Sequence, residues 1–148
     1  YVVAQGLLFA LILMGPQNAP GMPAWPDALA MASLPAGIAL IVFGVAVVSV
    51  AFYHLGENLT PLPKPRDAGT LVTTGLYRFV RHPIYFGVIV MALGWVLCVQ
   101  GLLTLLYAAA LVVFFDIKSR REEQWLRERF PEYADYQRRV RKLVPFIY

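Results

Sequence analysis

The chain has 148 residues, of which 59% are hydrophobic and only 15% are charged. Soluble domains are typically about 45–50% apolar and about 25% charged, so this composition excludes an ordinary soluble fold and favours a membrane protein. The formal net charge is +4 at pH 7, and the single cysteine, Cys98, lies in an apolar run, which excludes a disulfide framework or a cysteine-rich metal site.

The basic residues are distributed asymmetrically along the chain. Residues 15–33 contain no Lys or Arg, whereas nine of them lie in 118–142 and four lie between the second and third apolar blocks, namely Lys64, Arg66, Arg78 and Arg81. Cytosolic parts of membrane proteins carry excess Lys and Arg. We therefore expect a cytosolic N-terminus, a cytosolic 55–82 connection and a cytosolic C-terminal tail. This explanation accounts for the positive charge without a nucleic-acid partner.

The first apolar block, residues 1–14, is shorter than the roughly 20 residues that a helix needs to cross a bilayer, unless further residues precede it. It lacks the basic region and the cleavage site of a signal peptide, so we interpret it as a transmembrane helix. The following stretch to Ser33 is rich in Pro and Gly and contains Trp25. It is typical of a non-cytosolic loop with an interfacial anchor.

Ser33, followed by Leu34 and Pro35, predicts the start of a second span that runs to about Tyr53. A hydroxyl can cap the free amides of a helix, and proline is tolerated in the first turn. Three small residues recur seven positions apart on one stripe of this predicted helix: Gly37, Gly44 and Ala51. Such a stripe predicts close approach of another helix.

Residues 83–115 contain no charged side chain and are interrupted only by Gln100-Gly101. A single helix of this length would measure about 50 Å, against about 30 Å for the hydrocarbon core, so we predict a hairpin that turns at Gln100-Gly101. Its second leg should continue beyond the bilayer as the charged segment 116–129. The sequence thus predicts one rod that is apolar in its first half and charged in its second.

Phe130-Pro131 should end this rod, because proline disfavours helical geometry in the residue before it. A final amphipathic helix is predicted from four residues that recur at helical spacing, Tyr133, Tyr136, Val140 and Leu143. The predicted fold is an all-α integral-membrane bundle of about four transmembrane helices with a C-terminal amphipathic cytosolic helical segment. It forms one domain, 1–148, divided into 1–54, 55–82, 83–115 and 116–148.

The first candidate for polar chemistry lies at the start of the third apolar block, where the sequence reads R-H-P-I-Y. Pro83 suits the first turn of a helix and disfavours helical geometry in the preceding residue, so we predict that His82 is the N-cap of this span. Tyr85 then faces back toward His82. Because the N-terminus of a helix carries partial positive charge, this position suits a carboxylate or another anionic group.

The second candidate lies where the charged rod leaves the apolar zone. Lys118 and Glu122 are four residues apart and therefore share one face of the predicted helix. Such a pair is often an ordinary surface ion pair worth only a few tenths of a kcal/mol. Spacing alone leaves both interpretations open.

Several separated motifs then occur in order: T-G-L-Y-R-F-V-R-H-P-I-Y-F-G, an apolar hairpin, R-E-E-Q-W-L-R-E-R-F-P-E-Y-A-D-Y-Q-R-R-V, and a final L-V-P-F. In this combination, residues 60–148 resemble the isoprenylcysteine carboxyl methyltransferase family, within the wider group of membrane phospholipid methyltransferases. Residues 1–59 resemble the family only as generic spans. The resemblance implies a membrane enzyme that transfers a methyl group from S-adenosylmethionine and releases S-adenosylhomocysteine.

The resemblance also implies where the cofactor is enclosed, namely between the ends of the last membrane helices and the C-terminal segment. Glu122 would pair with the ammonium of the cofactor, and His82 would donate to its carboxylate. Tyr77 and Tyr85 would offer aromatic faces to the sulfonium or adenine. Lys118 and Glu122 are implied as the catalytic residues, and the implied cofactor-binding residues are Gly69, Thr70, Leu71, Val72, Tyr77, His82, Pro83, Ile84, Tyr85, Glu122 and Glu123.

One departure concerns the acceptor. Prenylcysteine-specific members of the family place an arginine one turn before the glutamate, whereas this sequence has Lys118. An arginine can donate two parallel hydrogen bonds to a substrate carboxylate, but a lysine offers only a point charge. Arg120 or Arg121 compensates only if the helix register turns one of them inward. A carboxylate acceptor is already ionised at neutral pH and needs no general base, unlike an amine. This favours a carboxylate or thiolate over phosphatidylethanolamine.

The leading interpretation is therefore an isoprenylcysteine carboxyl O-methyltransferase-like enzyme that acts on a lipophilic or prenylated acceptor arriving from the lipid bilayer. Its active site would lie on the cytosolic side. A phospholipid N-methyltransferase and a small-thiol S-methyltransferase are alternatives within the class. A nicotinamide-dependent membrane reductase is expected to have more spans and a larger cofactor, and a non-catalytic scaffold would tolerate substitutions of His82, Tyr85 and Glu122.

Overall fold

The computed structural model describes residues 1–56 and 70–148. Within these ranges the chain is helical and contains no strand, which confirms the predicted all-α class for the described part; the one β contact there is an isolated parallel bridge between Val80 and Arg141. The elements in chain order are α1 (Val2–Met14), α2 (Asp27–Leu55), a 3₁₀ turn (Gly75–Arg78), α3 (Pro83–Val99), α4 (Leu102–Arg129) and α5 (Tyr133–Arg139).

Among residues 1–56 and 70–148, two helices, α2 and α4, are long and apolar enough to cross a membrane, and α1 and α3 are shorter apolar helices. Large apolar side chains on α1 and α2 face outward: Leu7 is 62% exposed, Val42 is 63% exposed and Met31 is 94% exposed. Because soluble domains rarely expose contiguous apolar surface, these faces are those of a membrane protein. The number of spans and the side on which the termini lie stay predictions.

The second helix begins earlier than predicted. It starts at Asp27, and Pro35 lies inside it. Ser33 is therefore not a cap; its hydroxyl donates to the carbonyl of Leu29 at 2.8 Å and accepts from the Trp25 indole at 3.0 Å. Residues 27–34 are mainly good helix formers, and an aspartate in the first turn interacts favourably with the helix dipole. These preferences outweigh the cost of the proline.

Close contact between α2 and α3 follows from small residues on both helices. Gly37 and Gly44 are buried, and Ala51 is fully buried on the same stripe. A Cβ atom added to Gly37 would lie 2.6 Å from the carbonyl oxygen of Gly94, and one added to Gly44 would lie 2.6 Å from that of Gly87. The predicted small-residue stripe is confirmed, and its partner is α3.

The predicted hairpin is also confirmed. Helix α3 ends at Val99, Gln100 adopts the left-handed region at φ 52°, and α4 begins at Leu102. The loop after α1 satisfies free amides at the start of α4, because the Leu102 amide donates to Asn18 Oδ1 at 2.9 Å and the Leu103 amide donates to the Gln17 carbonyl at 2.9 Å. The loop thus fixes the turn of the hairpin.

Helix α4 continues through the charged segment to Arg129 and ends before Phe130-Pro131, as predicted. The final helix is shorter than predicted, since α5 ends at Arg139 and Val140 is extended at φ −120°. The physical reason is pairing with residues before α3: the Arg81 amide donates to the Arg141 carbonyl at 2.8 Å. The same pairing buries Lys142, which is only 7% exposed.

Candidate functional site

His82 occupies the N-cap position of α3, as predicted. Its backbone amide donates to the carbonyl of Lys142 at 3.1 Å, so the C-terminal segment holds it in place. Its ring is buried and stacks on the Tyr85 ring at 5.2 Å between centroids, and Tyr85 stacks in turn on Phe115 at 4.5 Å. Three parallel rings therefore join the start of α3 to the middle of α4.

Glu123 is a buried carboxylate whose two oxygens are both engaged by protein donors. Its Oε1 accepts from Arg81 Nε at 2.7 Å and from His82 Nε2 at 3.1 Å, and its Oε2 accepts from Gln137 Nε2 at 2.8 Å. Burial alone would raise the pKa of Glu123, but the hydrogen bonds and charges of His82 and Arg81 outweigh it and lower the pKa to about 2. Glu123 thus joins α3, α4 and α5.

Arg81 strengthens the same junction from the residue before His82. Its guanidinium donates to the backbone carbonyl of Gln137 at 3.0 Å and also to that of Val140. Arg81 therefore bonds one carboxylate on α4 and two carbonyls of the C-terminal segment. This arrangement fixes the position of His82 relative to α4.

Glu122, the adjacent carboxylate, is placed differently. Its Oε2 accepts from the Tyr85 hydroxyl at 2.8 Å and lies 3.7 Å from His82 Nδ1. Its side chain is 26% exposed, and the contacts found among residues 1–56 and 70–148 use Oε2 alone. One oxygen of Glu122 thus remains able to accept from a ligand, unlike those of Glu123.

Lys118 is brought to the same place, one turn before Glu122. Its side chain is buried, its Nζ donates to Gln5 Oε1 at 2.8 Å, and the ammonium lies over the Tyr85 ring at 5.2 Å from the centroid. Arg120 and Arg121 are both exposed on the outer side of α4. Neither arginine replaces Lys118 inside the cluster.

Tyr77 lies in the 3₁₀ turn and is buried, and its carbonyl accepts from the Tyr136 hydroxyl. Burial raises the pKa of the Tyr77 phenol, and the carboxylate of Glu122 raises it further, so this hydroxyl stays protonated. The hydrogen bond from Tyr136 places Tyr77 beside α5, whose Gln137 contacts both Arg81 and Glu123.

The other predicted cofactor-binding residues are only partly located by the structure. Gly69 lies outside the described residues. Thr70 is exposed, and Leu71 and Val72 are half-buried in the irregular chain before the 3₁₀ turn. Pro83 is buried and Ile84 half-buried in the first turn of α3. Their contact with a cofactor stays a prediction.

A comparison with known families relates this geometry to a class of protein. Residues 32–133 match the family of phospholipid methyltransferases. The chain belongs to this family. The match begins in α2 and ends at the start of α5, so it includes His82, Tyr85, Lys118 and both carboxylates of the cluster.

Three similar proteins share the name protein-S-isoprenylcysteine O-methyltransferase. The chain is 33% identical over 128 residues to protein-S-isoprenylcysteine O-methyltransferase of Rattus norvegicus, a match that covers 83% of this chain and 45% of the relative. The protein of the same name from Dictyostelium discoideum is 34% identical over 116 residues, covering 76% of this chain and 49% of the relative. That from Saccharomyces cerevisiae is 32% identical over 115 residues, covering 75% and 48%. The chain therefore spans about half the length of these relatives.

Three residues of the cluster around Glu122 and Glu123 were not predicted from the sequence: Gln5, Arg81 and Gln137. The signal for Gln5 was present, because a lone polar residue in an apolar membrane helix commonly faces the protein interior. Gln137 follows Tyr133 by one turn of α5 and shares its inner face. Arg81 had a competing explanation, since an arginine near a membrane end commonly serves as an interfacial anchor.

Proposed function

We propose that this chain is the catalytic part of an integral-membrane methyltransferase that transfers a methyl group from S-adenosylmethionine to a carboxylate on a lipophilic, prenylcysteine-like acceptor. The observation that carries the proposal is the placement of Glu122. It combines an available carboxylate oxygen with Tyr85, His82 and the start of α3. Membership in the phospholipid methyltransferase family and the names of the relatives support the same chemistry.

The residues present fit the amino-acid end of the cofactor. The available oxygen of Glu122 would accept from its ammonium. Among residues 1–56 and 70–148 no side chain caps α3, so within this part of the chain the first-turn amides of Ile84 and Tyr85 keep free donors that suit its carboxylate. His82 donates from Nε2 to Glu123, so its Nδ1 can donate to that carboxylate, as predicted, only when the ring is an imidazolium. When bound, the cofactor supplies the electrophilic methyl group.

Glu123 takes a positioning role in this proposal, in place of the predicted cofactor contact. Both of its oxygens are occupied by protein donors, and it is 4% exposed. It would hold His82 and Arg81 in register, while Glu122 contacts the cofactor. In this proposal Glu122 binds the cofactor, and Glu123 positions the residues around it.

Lys118 would hold the acceptor carboxylate. Its ammonium is buried beside the ring stack and lies one turn from Glu122. The acceptor carboxylate is already ionised at neutral pH, so it can attack the methyl carbon in line without a general base. The side chains of this chain would contribute orientation, charge compensation and exclusion of water.

We place the polar cofactor on the cytosolic side and the acceptor in the bilayer. The basic residues of 118–142 lie in the second half of α4, the half that carries Lys118 and Glu122, and in the segment that follows it, and the apolar faces of α1 and α2 point outward. This topology, with about four spans in a single domain, completes the proposal.

The test measures transfer of a labelled methyl group from S-adenosylmethionine to three acceptors: N-acetyl-S-farnesylcysteine, phosphatidylethanolamine and a small alkyl thiol. We expect transfer to the first and loss of transfer in Glu122→Gln. Glu128→Gln is the matched control, because it makes the same change at an exposed position of α4. Preferred transfer to the amine or thiol would move the acceptor assignment to those alternatives.

A calorimetric titration with S-adenosylhomocysteine and with reduced nicotinamide dinucleotide tests the cofactor separately. We expect binding of the former alone. Tight binding of the nicotinamide would contradict the proposal in favour of a reductase. Unaltered function in His82→Ala, Tyr85→Phe and Glu122→Gln would instead favour a non-catalytic scaffold.

A further inference from the structure

The ammonium of Lys118 is a buried cation with a neutral partner. Lys118 is 4% exposed, and its Nζ donates to the amide oxygen of Gln5 at 2.8 Å. Among residues 1–56 and 70–148, no carboxylate forms an ion pair with it within 4 Å. The Glu122 carboxylate acts on the ammonium only from beyond that distance. A buried charge without a directly paired carboxylate is costly, so this position favours a further anion.

The orientation of Gln5 follows from hydrogen-bond chemistry. A lysine ammonium only donates, so the oxygen of the Gln5 amide must face it. The nitrogen of the same planar amide group then lies close to the ammonium and has two N–H donors available for a ligand. Gln5 and Lys118 together present a positive charge and two kinds of donor at one place.

The surroundings show where these donors lie. Lys118 sits over the Tyr85 ring, whose hydroxyl donates to Glu122. Gln5 comes from α1, which packs against α4. The pair therefore lies on the α1 side of the cluster, next to the stacked rings of His82, Tyr85 and Phe115.

We infer that Gln5 and Lys118 jointly bind the acceptor carboxylate, with Lys118 providing the charge and Gln5 donating to the second oxygen. This inference rests on the proposed function and deepens it. It makes α1 part of the acceptor site and Gln5 a specificity-determining residue that favours a carboxylate over an amine. Two donors in a fixed arrangement select a planar anion, as an arginine does with a single side chain.

The experiment compares acceptor kinetics of the wild type with Gln5→Ala, Lys118→Arg and the double variant, using N-acetyl-S-farnesylcysteine. We expect Gln5→Ala to raise KM for the acceptor about tenfold, the effect of losing one hydrogen bond to a charged group. KM for S-adenosylmethionine should stay within about twofold. Gln124→Ala, on the exposed side of α4, is the matched control.

Lys118→Arg should compensate for the loss of acceptor binding in Gln5→Ala, because a guanidinium supplies two donors by itself. In that background the Gln5→Ala change should raise the acceptor KM less than about threefold. Gln5→Glu keeps a partner for Lys118 and so protects the fold, yet it should raise the acceptor KM by more than about thirtyfold through charge repulsion.

Two results would overturn the inference: an acceptor KM unchanged in Gln5→Ala and Gln5→Glu, or a loss from Gln5→Ala that is equally large in the wild type and in the Lys118→Arg background. Failure of the proposed function looks different. The wild type itself would then transfer no methyl group to the carboxylate acceptor, whatever residue stands at position 5. Affinity for S-adenosylhomocysteine, measured in every variant, reports whether the cofactor side remains intact.

Discussion

Glu123→Gln tests whether one buried carboxylate holds the site together. The change keeps the shape of the side chain and removes the charge that faces Arg81 and His82. Removing one partner of a buried ion pair commonly costs about 3–5 kcal/mol. The pKa of Glu123, lowered from 4.5 to about 2, corresponds independently to about 3 kcal/mol of stabilisation at neutral pH. We expect a loss of about 3 kcal/mol.

The assay is thermal unfolding of the detergent-solubilised protein at pH 7. For a domain of this size, about 3 kcal/mol corresponds to a decrease in Tm of roughly 6–12 °C. Glu122→Gln is the matched control, because it makes the same change at the adjacent, 26% exposed carboxylate. We expect it to cost less than about 1 kcal/mol, since it retains an acceptor for the Tyr85 hydroxyl.

The pH dependence of Tm tests whether the ionised form of Glu123 is the one that stabilises the fold. A carboxyl group with a lowered pKa stabilises the fold fully above its unfolded pKa, and this stabilisation is lost as the pH falls toward the folded pKa. The Tm difference between wild type and Glu123→Gln should therefore be constant near neutrality and narrow below about pH 4.5. A decrease of less than about 2 °C at pH 7, or a difference that does not change down to pH 3, would refute this reasoning.

Three further predictions concern packing, a phenol pair and the cofactor. Gly44→Ala should lower the free energy of unfolding by more than about 2 kcal/mol, because the added Cβ would lie 2.6 Å from a carbonyl oxygen of α3. Gly6→Ala, whose Cβ would meet open space, should raise it by up to about 1 kcal/mol. The Tm of each variant measures the change. Tyr133→Phe should leave Tm unchanged or higher, since this buried hydroxyl has no partner in the described ranges, while Tyr136→Phe should lose about 1 kcal/mol with its hydrogen bond. Glu122→Gln should weaken S-adenosylhomocysteine binding about 10–100-fold by calorimetry, and unchanged affinity would exclude its contact with the ammonium.

Features that depend on local rules could be predicted from the sequence. His82 before Pro83, the turn at Gln100-Gly101 and the break at Phe130-Pro131 each follow from the backbone preferences of two adjacent residues. The small-residue stripe of α2 follows from helical periodicity. Of these, only the identity of the partner helix required the structure.

The remaining features depend on contacts between distant parts of the chain. Val140 leaves the helical pattern because residues 141–142 pair with the backbone of 81–82, a contact that no local propensity encodes. Gln5 meets Lys118 across 113 positions, and Arg81 meets Glu123 across 42. Local preference also failed at Pro35, where the helix formers before it extend α2 through the proline. The sequence therefore identified candidate residues by their type, whereas the contacts that each of them makes required the structure.

The pairing of His82 with Lys142 has a consequence for biogenesis. All of the long helices leave the ribosome before residues 140–142 do, so membrane insertion can finish while the start of α3 still lacks its last backbone partners. Docking of residues 140–142 is then the step that completes the contacts of Arg81 and His82. A nascent chain arrested before that point would contain all of the long helices, while the backbone pairing of His82 would still be missing.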